Sequence, residues 1–364
     1  VLTRLPSGQA ENVSEPSVSI KPPSGKSRKG LIFSIVLGLV VMALLFWFIG
    51  QNAGEYRKAF TELGAIDPLW KALIGVASVI NIAIYPLTAI AAIRTLSYLH
   101  ASLSRQAGFT LSNIVPGGGA VAVATQYAVL AKYGVPQAKA AAAVSADAVF
   151  TYLFTLGAPS IAVTLLVLEG RSTGGFMTTA LIGLTAVIVS LIVIIAVLRS
   201  ESAARKIGGW AQKPLNAVMK KIKKKAPDLS SILIQFHDQA ADLIKTRWKS
   251  LAISNVAAQM APMLVLWAAL EGLGVTRAQL SLIELFAAFS IALVLTAFPI
   301  TPGGLGTVDA ALIGLLIAFG VDSSTAVAAD LLWRLGWFLP QLLVGALAAA
   351  KFGWDRKRGR HVTT

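Results

Sequence analysis

Cysteine is absent from the 364-residue chain, so disulfides, thiolate metal sites and cysteine nucleophiles are excluded. Histidine is nearly absent. His100, His237 and His361 lie in unrelated polar segments, whereas a histidine zinc site needs at least two converging ligands. Charge is scarce as well: 13% of residues are charged and 55% hydrophobic, against about 25% and 45–50% in soluble chains. So little charge cannot coat a soluble globule of this size. The apolar stretches carry no Cys, His, Asp-x-x-Asp pair or Gly-x-Ser-Gly segment, which argues against an intramembrane enzyme. There is no ATP-binding loop, and no metal or cofactor is expected.

What is present is long apolar sequence. A spanning helix takes about 20 apolar residues. The pattern predicts full spans at 31–49, 69–91, 140–168, 176–198, 250–271 and 324–350. Two more apolar stretches, 106–133 and 278–320, are each interrupted by Pro-Gly-Gly and read as hairpins within the membrane. The expected fold is an all-α polytopic membrane protein of six spans and two broken-helix hairpins. The first apolar segment is long and lacks a small-residue cleavage site, so it is not a signal peptide. Residues 1–30, rich in Ser, Pro, Gly and Lys, read as a disordered cytoplasmic tail. Val1 in place of an initiator implies that the numbering starts inside a longer chain.

The net charge of +15 reports topology rather than nucleic-acid binding. With the N-terminus inside and both hairpins returning to their own side, 26 of the 32 Lys and Arg fall inside. Only Arg57, Lys58, Lys71, Arg171 and Arg277 fall outside, and Arg334 lies within a span. Both termini are therefore expected in the cytoplasm of a cell with this protein in its plasma (inner) membrane. The organisation is a first membrane half, 31–198, a basic cytoplasmic loop, 199–249, a second half, 250–350, and a basic tail, 351–364. Within the loop, Lys220, Lys221, Lys223, Lys224 and Lys225 form a cluster suited to anionic inner-leaflet lipid. Leu229, Ile232, Leu233, Phe236, Ala240 and Leu243 then fall on one helical face. That face fits either an amphipathic helix on the inner leaflet or one packed on the protein's own underside.

The two hairpins look related. Asn113-Ile114-Val115-Pro116-Gly117-Gly118-Gly119 is matched by Ile300-Thr301-Pro302-Gly303-Gly304-Leu305-Gly306. Eighteen residues after each proline comes a Gly-Val pair, Gly134-Val135 and Gly320-Val321. Each pair precedes an apolar helix carrying an acid, Asp147 or Asp330. The helices before the two hairpins run in opposite directions, so the halves form an inverted-topology repeat, an architecture of secondary transporters. The tips are expected to meet near the middle of the bilayer. Backbone broken at that depth is tolerated only where protein or water surrounds it. A half-helix starting there points partial positive charge at an anion. Plain helix packing by small residues is the alternative reading of a single tip.

Ionisable residues inside a membrane cost about 2.5–3.5 kcal/mol each on insertion scales. Here they are Asp147, Glu284, Asp309, Asp330 and Arg334. Asp330 and Arg334 stand i,i+4 and can pair on one face, as a structural pair or as one that yields Arg334 to an anionic substrate. Asp309 falls in the first turn of the returning half-helix, where it can cap that helix or bind a cation, a proton or an amine. Asp147 has no cationic neighbour in sequence, which suits a proton carrier. Glu284 reads as a solvated residue at the outer mouth. Asn113, Gln126 and Tyr127 flank the first tip, and Asn255 and Gln259 precede the second, as neutral hydrogen-bonding groups. The candidate substrate site is thus Asn113, Pro116, Gly117, Gly118, Gln126, Tyr127, Asp147, Pro302, Gly303, Gly304, Gly306, Asp309, Asp330 and Arg334.

The segment from Phe298 to Asp309 resembles the transmembrane region of the lysylphosphatidylglycerol synthase family, also described as flippase-like membrane proteins. That family shows Pro-x-x-Pro-Gly-Gly-x-Gly followed by an acid, usually Glu, and Asp309 takes that place. Gly320 through Arg334 and Asn113 to Gly119 fit the pattern too, and the resemblance runs over roughly 31–350. The chain departs from it after Pro116, where relatives often carry an arginine. The resemblance implies an ATP-independent translocase of an anionic or aminoacylated phospholipid or of a lipid-linked saccharide. Lys351 to Thr364 leave no room for the aminoacyl-transferase domain of some members, so lipid synthesis is not expected. A carrier or channel for a small solute fits the repeat equally well, and a homodimer is compatible with it.

Overall fold

In the computed structural model the described residues are 61, 64–114, 118–170, 185, 188, 189, 192–221, 228–297 and 301–357. They are helical throughout, with no strand among them. The helices are α1 (Pro68–Ile84), α2 (Leu87–Ala92), α3 (Tyr98–Ile114), α4 (Gly119–Lys132), α5 (Gln137–Leu168) and α6 (Glu201–Lys221). There follow α7 (Leu229–Gly272), α8 (Leu282–Val294), α9 (Thr307–Ala318), α10 (Ser323–Trp333) and α11 (Leu339–Lys357). A π-helical turn, Arg334–Phe338, joins α10 to α11.

Four stretches are long and apolar enough to cross a membrane: Pro68–Ala92, Gln137–Leu168, Ala240–Gly272 and Ser323–Asp355. They coincide with four of the six expected spans. The span at 31–49 lies outside the described residues, and of 176–198 only scattered residues and the helical 192–198 are described. Large side chains such as Leu69, Ile161, Ile253 and Leu347 stand exposed along these helices, as lipid-facing surface requires and a water-soluble surface avoids. Both expected hairpins are helix pairs broken near their glycines, α3 with α4 and α8 with α9. Their members run to 17, 14, 13 and 12 residues, or about 18–26 Å at 1.5 Å per residue, less than the roughly 30 Å hydrocarbon core.

Local chemistry sets the helix ends. Asp67 accepts from Leu69 N at 2.7 Å ahead of Pro68, and Ser281 and Glu284 form a reciprocal capping box that opens α8. Asp322 caps α10; the hydroxyl and N–H of Ser324 hold its carboxyl below the usual carboxylate range. Glycine closes three helices in one way. Val135 N donates to Leu130 O, Val275 N to Leu270 O and Val321 N to Leu316 O, each at 3.0 Å around a glycine of positive φ. The paired Leu and Val are buried in every case, which completes the Schellman motif. The Gly-Val pairs that mark the repeat are therefore helix stops, and the fold uses a third at Gly274.

Packing relates the halves. α1 lies along α7, the two helices that precede the broken pairs. α3 packs on α11, and α8 packs on α5, so the first helix of each broken pair lies against a long apolar helix from the other part of the chain. One core gathers Trp333, Phe289, Leu266, Leu312 and Leu316, and the buried Trp333 indole donates to Pro262 O at 3.0 Å. The other is built from small residues, Ala91, Ala101, Ala140, Ala143 and Ala146, which let helices approach closely. The closest approach lies between α3 and α11, where a Cβ on Gly345 would collide with Gln106 O and Thr110 Oγ1.

Two readings of the sequence change. The amphipathic segment 229–243 is no separate helix but the start of the 44-residue α7. Its apolar face packs on the protein in part: Ala240 is buried in the core that includes Leu198, Phe236 and Leu243 pack against that core, and Ile232 stays exposed, while His237 Nδ1 meets Val197 O at 2.7 Å. Glu284 is buried as the capping residue of α8 rather than solvated at a mouth.

Gly345→Ala is expected to destabilise the protein by about 1–3 kcal/mol through overpacking, while Gly314→Ala, which meets nothing within 4 Å, stays neutral or gains up to about 1 kcal/mol. Thermal unfolding of both variants in one detergent checks the contrast.

Candidate functional site

The second tip is built from glycine. Gly303, Gly304 and Gly306 adopt φ of 65°, 65° and 81°, a region that other residues enter only at a cost. The turn frees backbone carbonyls that no helix satisfies. Arg334 takes them: Nη1 donates to Gly303 O at 3.2 Å and Nη2 to Gly304 O at 3.4 Å. Its Nε donates to Asp309 Oδ1 at 2.5 Å. The other Asp309 oxygen accepts from Gly306 N at 2.5 Å, closing the first turn of α9. Asp309 is thus both helix cap and counter-ion, and the positive end of α9 is already met from within.

The rings around Arg334 are aromatic. Its guanidinium carbon lies 5.1 Å from the Trp333 ring, 6.0 Å from Trp337 and 5.2 Å from Phe338. The π turn that begins at Arg334 brings Gly336 against α7 and α1, where a Cβ would lie 2.5 Å from Val265 Cγ1 and 3.1 Å from Ser78 Oγ. Such turns inside helices often mark functional positions. The side chains of the pair remain 11% and 18% accessible, so neither charge is sealed.

Asp330 does not pair with Arg334 as its i,i+4 spacing suggests; among the described residues Arg334 pairs with Asp309. The physical reason is the tip, whose two carbonyls and carboxylate present more acceptors than one neighbouring acid. Asp330 is buried, its carboxyl adjoins Asp309 and Arg334, and its Oδ1 has no hydrogen-bond partner.

The first tip reaches the second. α3 packs on the 302–304 turn, and a Cβ on Gly303 would sit 2.7 Å from Phe338 Cζ and 3.6 Å from Asn113 Oδ1. Pro116 and Gly117 lie outside the described residues; Gly118 is buried at the start of α4, where no side chain caps the helix. Gln126 and Tyr127 point elsewhere. Gln126 packs over Gly108 of α3, and Tyr127 joins the alanine-rich core.

Asp147 is not unpaired. Arg105 Nη1 donates to its Oδ2 at 2.5 Å, and Asn255 Nδ2 donates to its Oδ1 at 3.2 Å. Arg105 also lies 4.3 Å over the Tyr85 ring. The topology count places Arg105 in an inner loop, whereas it is buried in the middle of α3. The available signal was Asp147 itself, since a lone acid in an apolar helix demands a cation from some other helix. Asn255 and Gln259 likewise serve this second centre, facing Asp147, Thr151 and Thr155 of α5 rather than the second tip. Edge-to-face rings join the two ion pairs: Tyr85 meets Phe109, and Phe109 meets Trp337 and Phe338, each with centroids 5.9 Å apart.

The sequence matches the family described as Lysylphosphatidylglycerol synthase TM region over residues 35–345, which is most of the chain. The chain belongs to this family. No curated protein matches it. Membership in the lysylphosphatidylglycerol synthase membrane region, with the four apolar helices, makes it a multi-pass membrane protein with a membrane-lipid-related role. In this member the acid after the glycine-rich tip is Asp309, and the arginine it holds is Arg334.

Arg105→Ala is expected to cost about 3–5 kcal/mol by stranding Asp147, and the double variant Arg105→Ala/Asp147→Ala to recover part of that loss. A double-mutant cycle on detergent-solubilised unfolding measures the coupling.

Proposed function

We propose that the protein is an ATP-independent translocase that moves an anionic or aminoacylated phospholipid, or a lipid-linked saccharide, between leaflets. The observation that carries this reading is Arg334, held at the meeting of two broken-helix tips by the carboxylate of Asp309 and two glycine carbonyls. A guanidinium has five donors in a planar fork that suits phosphate as well as carboxylate. An anionic headgroup oxygen replaces Asp309 on Arg334 while the acyl chains stay in lipid, and Asp309 retains Gly306 N. The exchange is local: one ion pair breaks as another forms, and the tip keeps its carbonyl bonds. The protein acts as a transporter, not an enzyme.

Three features support the architecture this needs. Helices of 12–17 residues are too short to cross, which favours re-entrant hairpins ending at bilayer depth. The reciprocal packing of α3 on α11 and α8 on α5 favours an inverted repeat. With 31–49 and 176–198 as spans, six crossings leave both termini in the cytoplasm and the lysine-rich loop on the anionic inner leaflet.

Native mass spectrometry of lipid retained on the purified protein tests the reading. One lipid class is expected to be enriched on the wild type and weakened about 10–100-fold in Arg334→Ala, as the loss of a charge-assisted bond of about 1.5–3 kcal/mol implies. Bulk lipid that is unchanged in the variant would count for a carrier of small soluble solutes instead.

A further inference from the structure

Asp330 has no use in that exchange, yet it is 4% exposed and its Oδ1 lacks a partner. A buried carboxyl group with one oxygen left unbonded is expensive in a membrane interior, and such residues persist where they carry protons or ions. The charges around it can be followed element by element. α9 contributes Asp309 and the π turn contributes Arg334, and both act on Asp330. α7, packed along α10, has no charged residue between Lys249 and Glu271. α8 contributes only Glu284, at its far start in the capping box with Ser281. α1, against the π turn, contributes only Lys71 in its first turn. α3 contributes Arg105, which is bound to Asp147. On α10 itself the other acid is Asp322, at the N-cap. Among the described residues the charged groups that act on one another here are therefore two carboxyl groups and one guanidinium, and one proton between the carboxyl groups makes the set neutral.

We infer that Asp309 and Asp330 form a proton-binding pair that couples headgroup transfer to a proton. The inference rests on the translocase reading above. With Arg334 on Asp309, the pair holds one proton. When Arg334 leaves for an anionic headgroup, Asp309 loses its cation, and a second proton from the adjoining water forms an O–H bond on it. The loaded site is again neutral: one guanidinium, one headgroup anion, two carboxylic acids. When the headgroup departs on the other side, Arg334 returns, that O–H bond breaks and the proton passes to water there. One proton travels with one anionic headgroup, and no charge crosses in net. The physical ground is the cost of net charge at low dielectric, which each step avoids.

The test uses the full chain in vesicles of phosphatidylethanolamine and phosphatidylglycerol containing fluorescent phosphatidylglycerol, with leaflet position read by a membrane-impermeant reductant. A pH gradient is expected to accumulate label in the leaflet facing the alkaline side. In the double variant Asp309→Asn/Asp330→Asn, which leaves no carboxyl group to take up the travelling proton, the ratio of transport with and without the gradient is expected to fall to one, whatever the rate. A distribution indifferent to pH, a variant as responsive as wild type, or a sodium gradient that substitutes for protons would overturn the inference. If no label moves at all, the translocase reading fails for this anionic phospholipid, and infrared spectroscopy tests the proton pair separately. Wild-type protein at neutral pH should show the carbonyl stretch of a buried protonated carboxyl group, increased by short-chain phosphatidylglycerol and lost in Asp330→Asn. Absence of that band from the wild type would overturn the proton pair on its own.

Discussion

A broken helix must find partners for the carbonyls it frees, and at the second tip one guanidinium reaches two of them, with Thr307 Oγ1 also donating to Gly304 O. Arg334 bonds Gly303 O, Gly304 O and Asp309 together, so the break, its counter-ion and the start of the returning helix are one unit. Water cannot satisfy such groups in hydrocarbon, which is why irregular backbone at depth occurs only beside protein or a wet cavity. The rest of the second half follows from this unit. The three rings beside Arg334 shield it, the π turn carries it to the tip, and Gly336 lets that turn lie flat against α7 and α1.

The first half meets a related constraint differently. Its buried charge pair sits not at the tip but nine residues before the end of α3, where Arg105 joins Asp147. The two broken pairs thus share the Schellman stop that follows them but not the placement of charge. Any catalogue of equivalent residues built from spacing alone would pair Asp147 with Asp330, whose surroundings are unlike. Asp147 has its arginine and an amide, whereas Asp330 adjoins an acid whose cation is already engaged.

Much of this was legible in the sequence for a plain reason. Apolar run length, glycine-proline breaks and intramembrane acids are strong local signals, so the four described long helices and both broken pairs followed from them. Side-chain partnership was less legible. Spacing proposed Asp330 for Arg334 because i,i+4 is the only pairing that one helix reveals, and the tip carbonyls come from thirty residues away. Arg105 was hidden because a basic residue just outside an apolar window looks like loop charge. Asp147 was left without its partner for the same reason. The amphipathic stretch 229–243 carried a true apolar face, but periodicity does not say whether lipid or Leu198 covers it.

α7 runs unbroken from Leu229 to Gly272, about 66 Å at 1.5 Å per residue, roughly twice the hydrocarbon thickness. Along it stand Asn255, against the Arg105 centre, and Pro262, whose carbonyl anchors Trp333 next to Arg334. α6 is fastened to its N-terminal end, with Leu229 N donating to Gln212 Oε1. The helix is therefore a rod that passes both charge centres and is about twice as long as the hydrocarbon layer is thick. A tilt of about 10° pivoting at Gly272 would swing Leu229 by about 11 Å, so small rocking at the site becomes a large stroke at the far end. Whatever grips the α6–α7 pair holds the long arm of that lever.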